Sequence, residues 1–166
     1  MTSALSRSKT RRTAMAAGAA VLGLVALSAC EKPTPLATVT VGSNSASAEA
    51  ACYNDGKRLS QEKLKSCFSE NSGKKVTVHD GEKVRVGVDP EIAESGWVMV
   101  VNGQPTMAEA SKDTYRTFDF DQIFAPQQST PGGAAAAPKT AKVAIIELTG
   151  GDKPKGLWQF NLSKAS

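Results

Sequence analysis

Residues 74–101, KKVTVHDGEKVRVGVDPEIAESGWVMVV, decide the fold because they carry its clearest pattern. Apolar and polar residues alternate on both sides of Asp80-Gly81, with valine at positions 76, 78, 84, 86 and 88. Alternation with period two is typical of half-buried strands, and Asp-Gly tolerates the positive φ of a tight turn. The stretch predicts a β-hairpin about Asp80-Gly81, ended by Asp89-Pro90 and followed by a central strand in GWVMVV.

The same period continues on both sides of this stretch. Strands are predicted in ATVTV (37–41), TYRTFDF (114–120), AKVAIIEL (141–148) and GLWQFNL (156–162), the last two joined by the turn-rich TGGDKP. At least seven short strands with turn signals between them predict an all-β sandwich. Helix is scarce: one or two turns are predicted after Ser60 in LSQEKLKSCF, and a short piece in TMAEASKD (106–113).

The N-terminal segment indicates export. Four basic residues, at positions 7, 9, 11 and 12, precede an uncharged apolar run over 14–27. This run is shorter than the ~20 residues of a membrane-spanning helix, so it predicts a signal peptide. Leu27-Ser28-Ala29-Cys30 resembles a bacterial lipobox, which implies diacylglycerol on the Cys30 sulfur and cleavage after Ala29. The alternative is a buried helix with an incidental cysteine. Arg11-Arg12 leaves both the general and the twin-arginine export routes open.

The charge balance argues against a nucleic-acid partner. The formal net charge is +4, but four of the 20 Lys and Arg residues precede Cys30, which leaves 16 against 16 Asp and Glu. Nucleic-acid binders carry a basic face, and no segment after Cys30 concentrates one.

The three cysteines suggest one lipid site and one disulfide. With Cys30 lipidated, Cys52 and Cys67 remain, and an oxidising compartment favours their pairing. The rival interpretation is a metal or redox pair. Fourteen residues separate the two cysteines, which is not a CxxC spacing, and His79 is the sole histidine, whereas a closed zinc site takes four ligands. We therefore predict a Cys52–Cys67 disulfide, no metal site and no cofactor.

The predicted organisation is a signal peptide over 1–29, a short tether over 30–35 and one domain over 36–162. Residues 125–142, APQQSTPGGAAAAPKTAK, contain three prolines and an alanine tract and predict a long disordered loop inside the domain.

The chain resembles a family of uncharacterised actinobacterial lipoproteins with an immunoglobulin-like β-sandwich. The lipobox at Cys30, ATVTVG, the Cys52 and Cys67 pair, VTVHDGEKVRVGVDPEIAESGW and the terminal GLWQFNL carry the resemblance. It implies an antiparallel immunoglobulin-like sandwich of about seven strands and supplies no catalytic residues.

Few residues suggest chemistry. His79 beside Asp80 and Glu82 could form a triad or metal site, but HDGE is also an ordinary polar turn, and no Gly-x-Ser-x-Gly elbow accompanies it. Asp119 and Asp121 are expected on one face of their strand, where two acids usually serve solubility. Trp97 and Trp158 lie in apolar strands, which favours core packing over ligand stacking.

These observations predict a non-enzymatic lipoprotein on the extracytoplasmic face of the cell membrane. It would be anchored in the lipid bilayer through diacylated Cys30 and would bind an envelope protein or a cell-wall component. The alternative is a small extracytoplasmic enzyme or solute-binding lipoprotein with a site near His79 or near Asp119 and Asp121.

Overall fold

The computed structural model describes residues 33–126, 136–150 and 152–165, which form ten strands and three short helices. The strands are β1 Ala37–Val41, β2 Asn44–Ala48, β3 Cys52–Tyr53, β4 Lys74–Val78, β5 Val84–Val88, β6 Trp97–Val101, β7 Gln104–Pro105, β8 Tyr115–Phe118, β9 Thr140–Thr149 and β10 Lys153–Lys164. The helices are α1 Gln61–Ser69, α2 Pro90–Ser95 and α3 Phe120–Phe124.

Two sheets pack face to face, which confirms the predicted all-β sandwich. The first sheet has the order β2-β1-β5-β8 and is antiparallel throughout. The second has the order β3-β10-β9-β6-β7, and β4 joins it by pairing in parallel with the second half of β10. The described residues thus form ten strands rather than about seven, because β2 and the two-residue strands β3 and β7 have no clear sequence signal.

The order of the strands is immunoglobulin-like. Immunoglobulin strands B and E adjoin in one sheet, and strands C, F and G adjoin in the other. Here β5 and β8 adjoin in the first sheet, and β6, β9 and β10 adjoin in the second. Trp97 is buried at the start of β6, the strand that corresponds to C. β1 adjoins β5 as strand A adjoins B, whereas β2 and the parallel pairing of β4 with β10 lie outside this arrangement and depart from the predicted antiparallel sandwich.

The predicted hairpin about Asp80-Gly81 is wrong, although its two strands and its turn exist. The Glu82 amide donates to the His79 carbonyl at 3.1 Å, and Gly81 has φ +79°. However, β4 pairs with β10 in the second sheet, whereas β5 pairs with β1 and β8 in the first. The turn therefore carries the chain between sheets. Period two shows that a strand has one buried face, and it does not show which strand lies beside it.

The strand predicted through TYRTFDF ends earlier than expected. β8 stops at Phe118, and α3 follows, so Asp119 and Asp121 do not share a strand face. Asp119 is instead the N-cap residue of α3, and its backbone amide donates to Gln122 Oε1 at 2.9 Å. The strand was predicted to continue because Phe118 and Phe120 are two positions apart, the spacing of strand alternation. Phe120, however, belongs to the helix.

The other helix predictions have mixed outcomes. The helix after Ser60 is confirmed as α1, and Ser60 Oγ accepts a hydrogen bond from the Lys63 amide at 3.2 Å. Residues 106–113 form bends rather than the short helix predicted there. Helix α2 was not predicted, although Pro90 stands at its first turn, a position that proline favours.

The β9–β10 hairpin is confirmed, with one irregularity between Pro154 and Gly156. β9 begins at Thr140, inside the predicted loop over 125–142, so that loop is shorter at its C-terminal side. Residues 127–135 of it lie outside the described residues. Among the residues that the structure describes, no helix is long and apolar enough to cross a membrane.

Two hydrophobic clusters stabilise the domain. The inter-sheet core lies between the sheets and contains 23 buried residues, including Trp97, Met99, Trp158 and Phe160. The outer core lies on the opposite face of the second sheet, where eight buried residues, including Ile146 and Leu157, meet α1. β9 and β10 contribute to both clusters, which explains why their sequences are almost continuously apolar.

Candidate functional site

The predicted disulfide is present and the predicted lipid site lies outside the described residues. Cys52 on β3 is bonded to Cys67 on α1, with their Cα atoms 6.2 Å apart. Cys67 is fully buried in the outer core, so the bond fixes α1 against the second sheet. Cys30 precedes residue 33, where the described part of the chain begins.

The turn at His79 brings only two of its three predicted site residues together. Glu82 Oε2 accepts hydrogen bonds from the His79 amide at 2.8 Å and from His79 Nδ1 at 3.1 Å. The hydrogen bond from the His79 amide is the larger cause, and that from the His79 side chain the next, of a lowered pKa of Glu82. Asp80 is exposed, and 65% of the His79 side chain is exposed. The carboxylate of Glu82 therefore closes a surface turn.

The two predicted acids near α3 also have structural contacts. Asp119 Oδ1 forms an ion pair with Lys83 Nζ, and both side chains are more than half exposed. Asp121 lies in the first turn of α3, where a negative charge is favourable. The structure does not bring these acids to His79 as one site.

Both tryptophans belong to the inter-sheet core, as predicted. Each is fully buried. Trp97 Nε1 donates to the Asp113 carbonyl at 2.8 Å, and Trp158 Nε1 donates to the Pro35 carbonyl at 2.8 Å. These bonds satisfy the polar atom of each ring, so both side chains pack without leaving an unpaired donor.

One buried ion pair was not predicted from the sequence. Glu147 points between the sheets and is 0% exposed, and Lys155 Nζ lies 2.9 Å from its Oε1 atom. Neither oxygen of Glu147 accepts a hydrogen bond of favourable geometry. An acid inside the otherwise apolar AKVAIIEL was the available signal. Its partner could not be inferred, because Lys155 reaches it from the irregularity in β10.

Tyr53 extends this polar cluster towards the surface. Burial, followed by the charges of Glu147 and Glu91, raises the pKa of Tyr53 to about 12. Its hydroxyl donates to Glu91 Oε1 at 3.4 Å, and its ring lies 6.2 Å from that of Trp158. Because Glu147 is fully buried, its carboxylate is not accessible from solvent.

One lateral side of the sandwich forms an open groove between two edge strands. β2 pairs only with β1 and β4 only with β10, and the two strands lie side by side across the sandwich. We call this surface the β2–β4 seam. It contains two adjoining depressions of about 550 and 350 Å³. They are lined by residues Leu36, Asn44 to Ala51, Ser72, Lys74 to Thr77 and Gln159.

The two strands of the seam differ in charge. β2, NSASA, contains no charged residue, no proline and no break in its register with β1. β4 contributes the exposed Lys74 and Lys75. Edge lysines discourage strand addition, whereas an uncharged and regular edge is open to it. Of the two strands of the seam, β2 is thus the one without charges that oppose strand addition.

The opposite lateral side is covered by the chain itself. Residues 106–113 run over it, Met107 packs against the inter-sheet core, and Ser111 forms an isolated bridge with Trp97. A cavity of about 440 Å³ remains there, lined by residues that include Glu109, Arg116 and Gln122. The domain therefore exposes one lateral side and closes the other.

Within the described ranges, no group of three or more His, Cys, Asp or Glu side chains is placed to share a metal ion.

Comparison of the chain with models of protein families, with curated proteins and with solved structures finds no match.

Proposed function

We propose that the protein is a lipid-anchored, extracytoplasmic binding module without catalytic activity. The Leu27-Ser28-Ala29-Cys30 sequence after a basic and then apolar segment supports the anchor. The disulfide supports an oxidising compartment. The exposed β2–β4 seam supports binding and is the observation on which this proposal rests.

The partner of this proposal is an extended acidic peptide segment that adds to the free edge of β2. Strand addition obtains affinity from main-chain hydrogen bonds and specificity from the side-chain sites beside the edge. Those sites contain Lys74 and Lys75 on β4 and one acid, Glu49. A second copy paired through β2 would bring two sets of these lysines towards each other, so charge favours a different, acidic partner.

The anchor is tested by metabolic labelling with an alkyne fatty acid. Wild-type protein should be labelled and should fractionate with membranes, and Cys30→Ala should lose both properties because its acceptor thiol is absent. Undiminished labelling of Cys30→Ala would contradict the proposed anchor.

Binding at the seam is tested with two fluorescein-labelled peptides, one of four Glu-Val repeats and one of four Lys-Val repeats. Fluorescence anisotropy should show that the domain prefers the acidic peptide and that Lys74→Glu/Lys75→Glu reverses this preference. Lys63→Glu/Lys65→Glu, on the exposed face of α1, is the matched control and should keep it. An unchanged preference in the seam variant, or the same reversal in the control, would exclude the seam as the binding surface.

A further inference from the structure

The N-terminal side of the domain is bound to the sandwich from Thr34 onward. The Ala50 amide donates to Thr34 Oγ1 at 3.0 Å, and Trp158 Nε1 donates to the Pro35 carbonyl at 2.8 Å. The next residue, Leu36, exchanges two hydrogen bonds with Asp89, at 2.7 and 3.0 Å. In the described part of the chain, Thr34 is the first residue that is hydrogen-bonded to the domain, and three residues of the sequence separate it from Cys30.

These contacts lie at one end of the sandwich, which we call the basal end. It comprises the start of β1, the end of β5 and the start of β8, since Ala37 pairs with Val88 and Gly87 with Tyr115. In the described part of the chain, the two large apolar side chains that stand exposed are Leu36, at 40%, and Tyr115, at 53%. Both flank the end of β5 and so belong to the basal end.

The distance from the anchor to the domain is short. Because an extended chain spans at most ~3.3–3.6 Å per residue, Cys30 and Thr34 are separated by no more than about 14 Å. We propose that the basal end rests on the bilayer surface, with Leu36 and Tyr115 at the headgroups. This inference rests on the proposed lipid anchor at Cys30. Tyrosine suits this depth because its ring is apolar and its hydroxyl can stay hydrated.

The charges of the basal end indicate what holds it there. Glu49, Glu91 and Glu94 are exposed at or beside this end, together with Lys112 and Asp113. Anionic membranes attract polybasic surfaces, and this end is not polybasic. The short connection to the lipid, rather than an affinity of the surface for lipid, therefore keeps the basal end on the membrane. The opposite end, with the β1–β2 turn at Ser43 and the turn at His79, then faces away from the membrane. The β2–β4 seam lies on the lateral side between the two ends.

The orientation is tested in the full acylated protein at two exposed hydroxyl residues, one at each end of the sandwich. Thr114→Cys, exposed at the basal end, and Ser43→Cys, exposed at the opposite end, each receive a bimane fluorophore. The proteins are placed in vesicles of phosphatidylethanolamine and phosphatidylglycerol, three to one, that contain lipids with a nitroxide on the headgroup. Quenching should be several-fold greater at position 114 than at 43. Lys112→Cys is a second basal position if Thr114→Cys folds poorly.

A variant with a longer linker distinguishes the effect of the short connection to Cys30 from an affinity of the basal end for lipid. Fifteen Gly and Ser residues inserted between Pro33 and Thr34 add a mean span of roughly 20 Å. This insertion should lower the quenching at position 114 towards that at position 43. Undiminished quenching would show that the short connection does not hold the basal end.

Flotation of the wild-type protein with vesicles distinguishes the two proposals. Acylated protein that fails to float would contradict both the anchor and the orientation. Protein that floats but shows equal quenching at positions 114 and 43 would overturn the orientation alone.

Discussion

The inter-sheet core and the outer core stabilise the same second sheet by different means. The inter-sheet core is large and consists of side chains that alternate along the strands of both sheets. The outer core has about a third as many buried residues and is closed by one short helix and one disulfide. The face of the second sheet that is covered by the first sheet contains no disulfide. The opposite face is covered by a helix of nine residues, and a disulfide bonds that helix to the sheet. Measurements on each core can test this difference.

The largest expected effect is the loss of Trp158. Trp158→Ala removes a fully buried indole from the inter-sheet core and should lower the free energy of unfolding by about 3–5 kcal/mol. Leu157 is the matched control because it is the preceding residue of β10, is equally buried and faces the outer core. Urea denaturation should show a smaller loss for Leu157→Ala. A greater loss for Leu157→Ala would reverse the ranking of the two cores.

Removal of the disulfide should weaken the outer core selectively. Cys52→Ala/Cys67→Ala should lower the free energy of unfolding by about 2–4 kcal/mol, since the bond closes a loop of 15 residues in sequence. Near-ultraviolet circular dichroism of the two tryptophans should persist, because both belong to the inter-sheet core. Loss of that signal under native conditions would mean that the cores are not separable.

Tyr53 reports on the place where the two cores meet. On β3, Cys52 faces the outer core and Tyr53 packs against the inter-sheet core. Its pKa is raised to about 12, so the neutral hydroxyl contributes stability below the ordinary value near 10, and this contribution is lost as the pH rises towards 12. Absorbance titration should show a phenol step well above pH 10 that is absent in Tyr53→Phe. The absence of that high-pH step in the wild type would contradict this placement.

The smallest expected effect lies on the exposed surface. His79→Ala should change the free energy of unfolding by no more than about 0.5 kcal/mol, because the side chain is largely exposed. The His79 amide still donates to Glu82 in this variant, so the turn remains closed. The cellular phenotype should match that of the wild type. A folded, membrane-bound His79→Ala protein with the phenotype of a deletion would favour the alternative of an enzyme.

Sequence patterns revealed the parts of the fold that depend on neighbours along the chain. β1, α1 and the β9–β10 hairpin were predictable from alternation, an N-cap and a turn. The β4–β5 arrangement was not, because valine alternation is the same whether a turn closes a hairpin or joins two sheets. β2 has too little contrast between apolar and polar residues to mark a strand.

The candidate sites divide in the same way. The disulfide followed from the count of cysteines and the expected compartment. The β2–β4 seam did not, because its strands are distant in sequence and belong to different sheets. The Glu147–Lys155 pair depends on an irregularity in β10 that has no single sequence signature.

The position of β10 has a consequence for the order of folding. This strand contacts β9 along one edge and both β3 and β4 along the other, and Leu157 pairs with Cys52 more than a hundred residues earlier. Such distant pairings slow folding. The second sheet cannot assemble during synthesis until residues up to about 164 have left the ribosome. In a nascent chain, β3, β4 and β9 therefore lack their common partner until β10 has emerged.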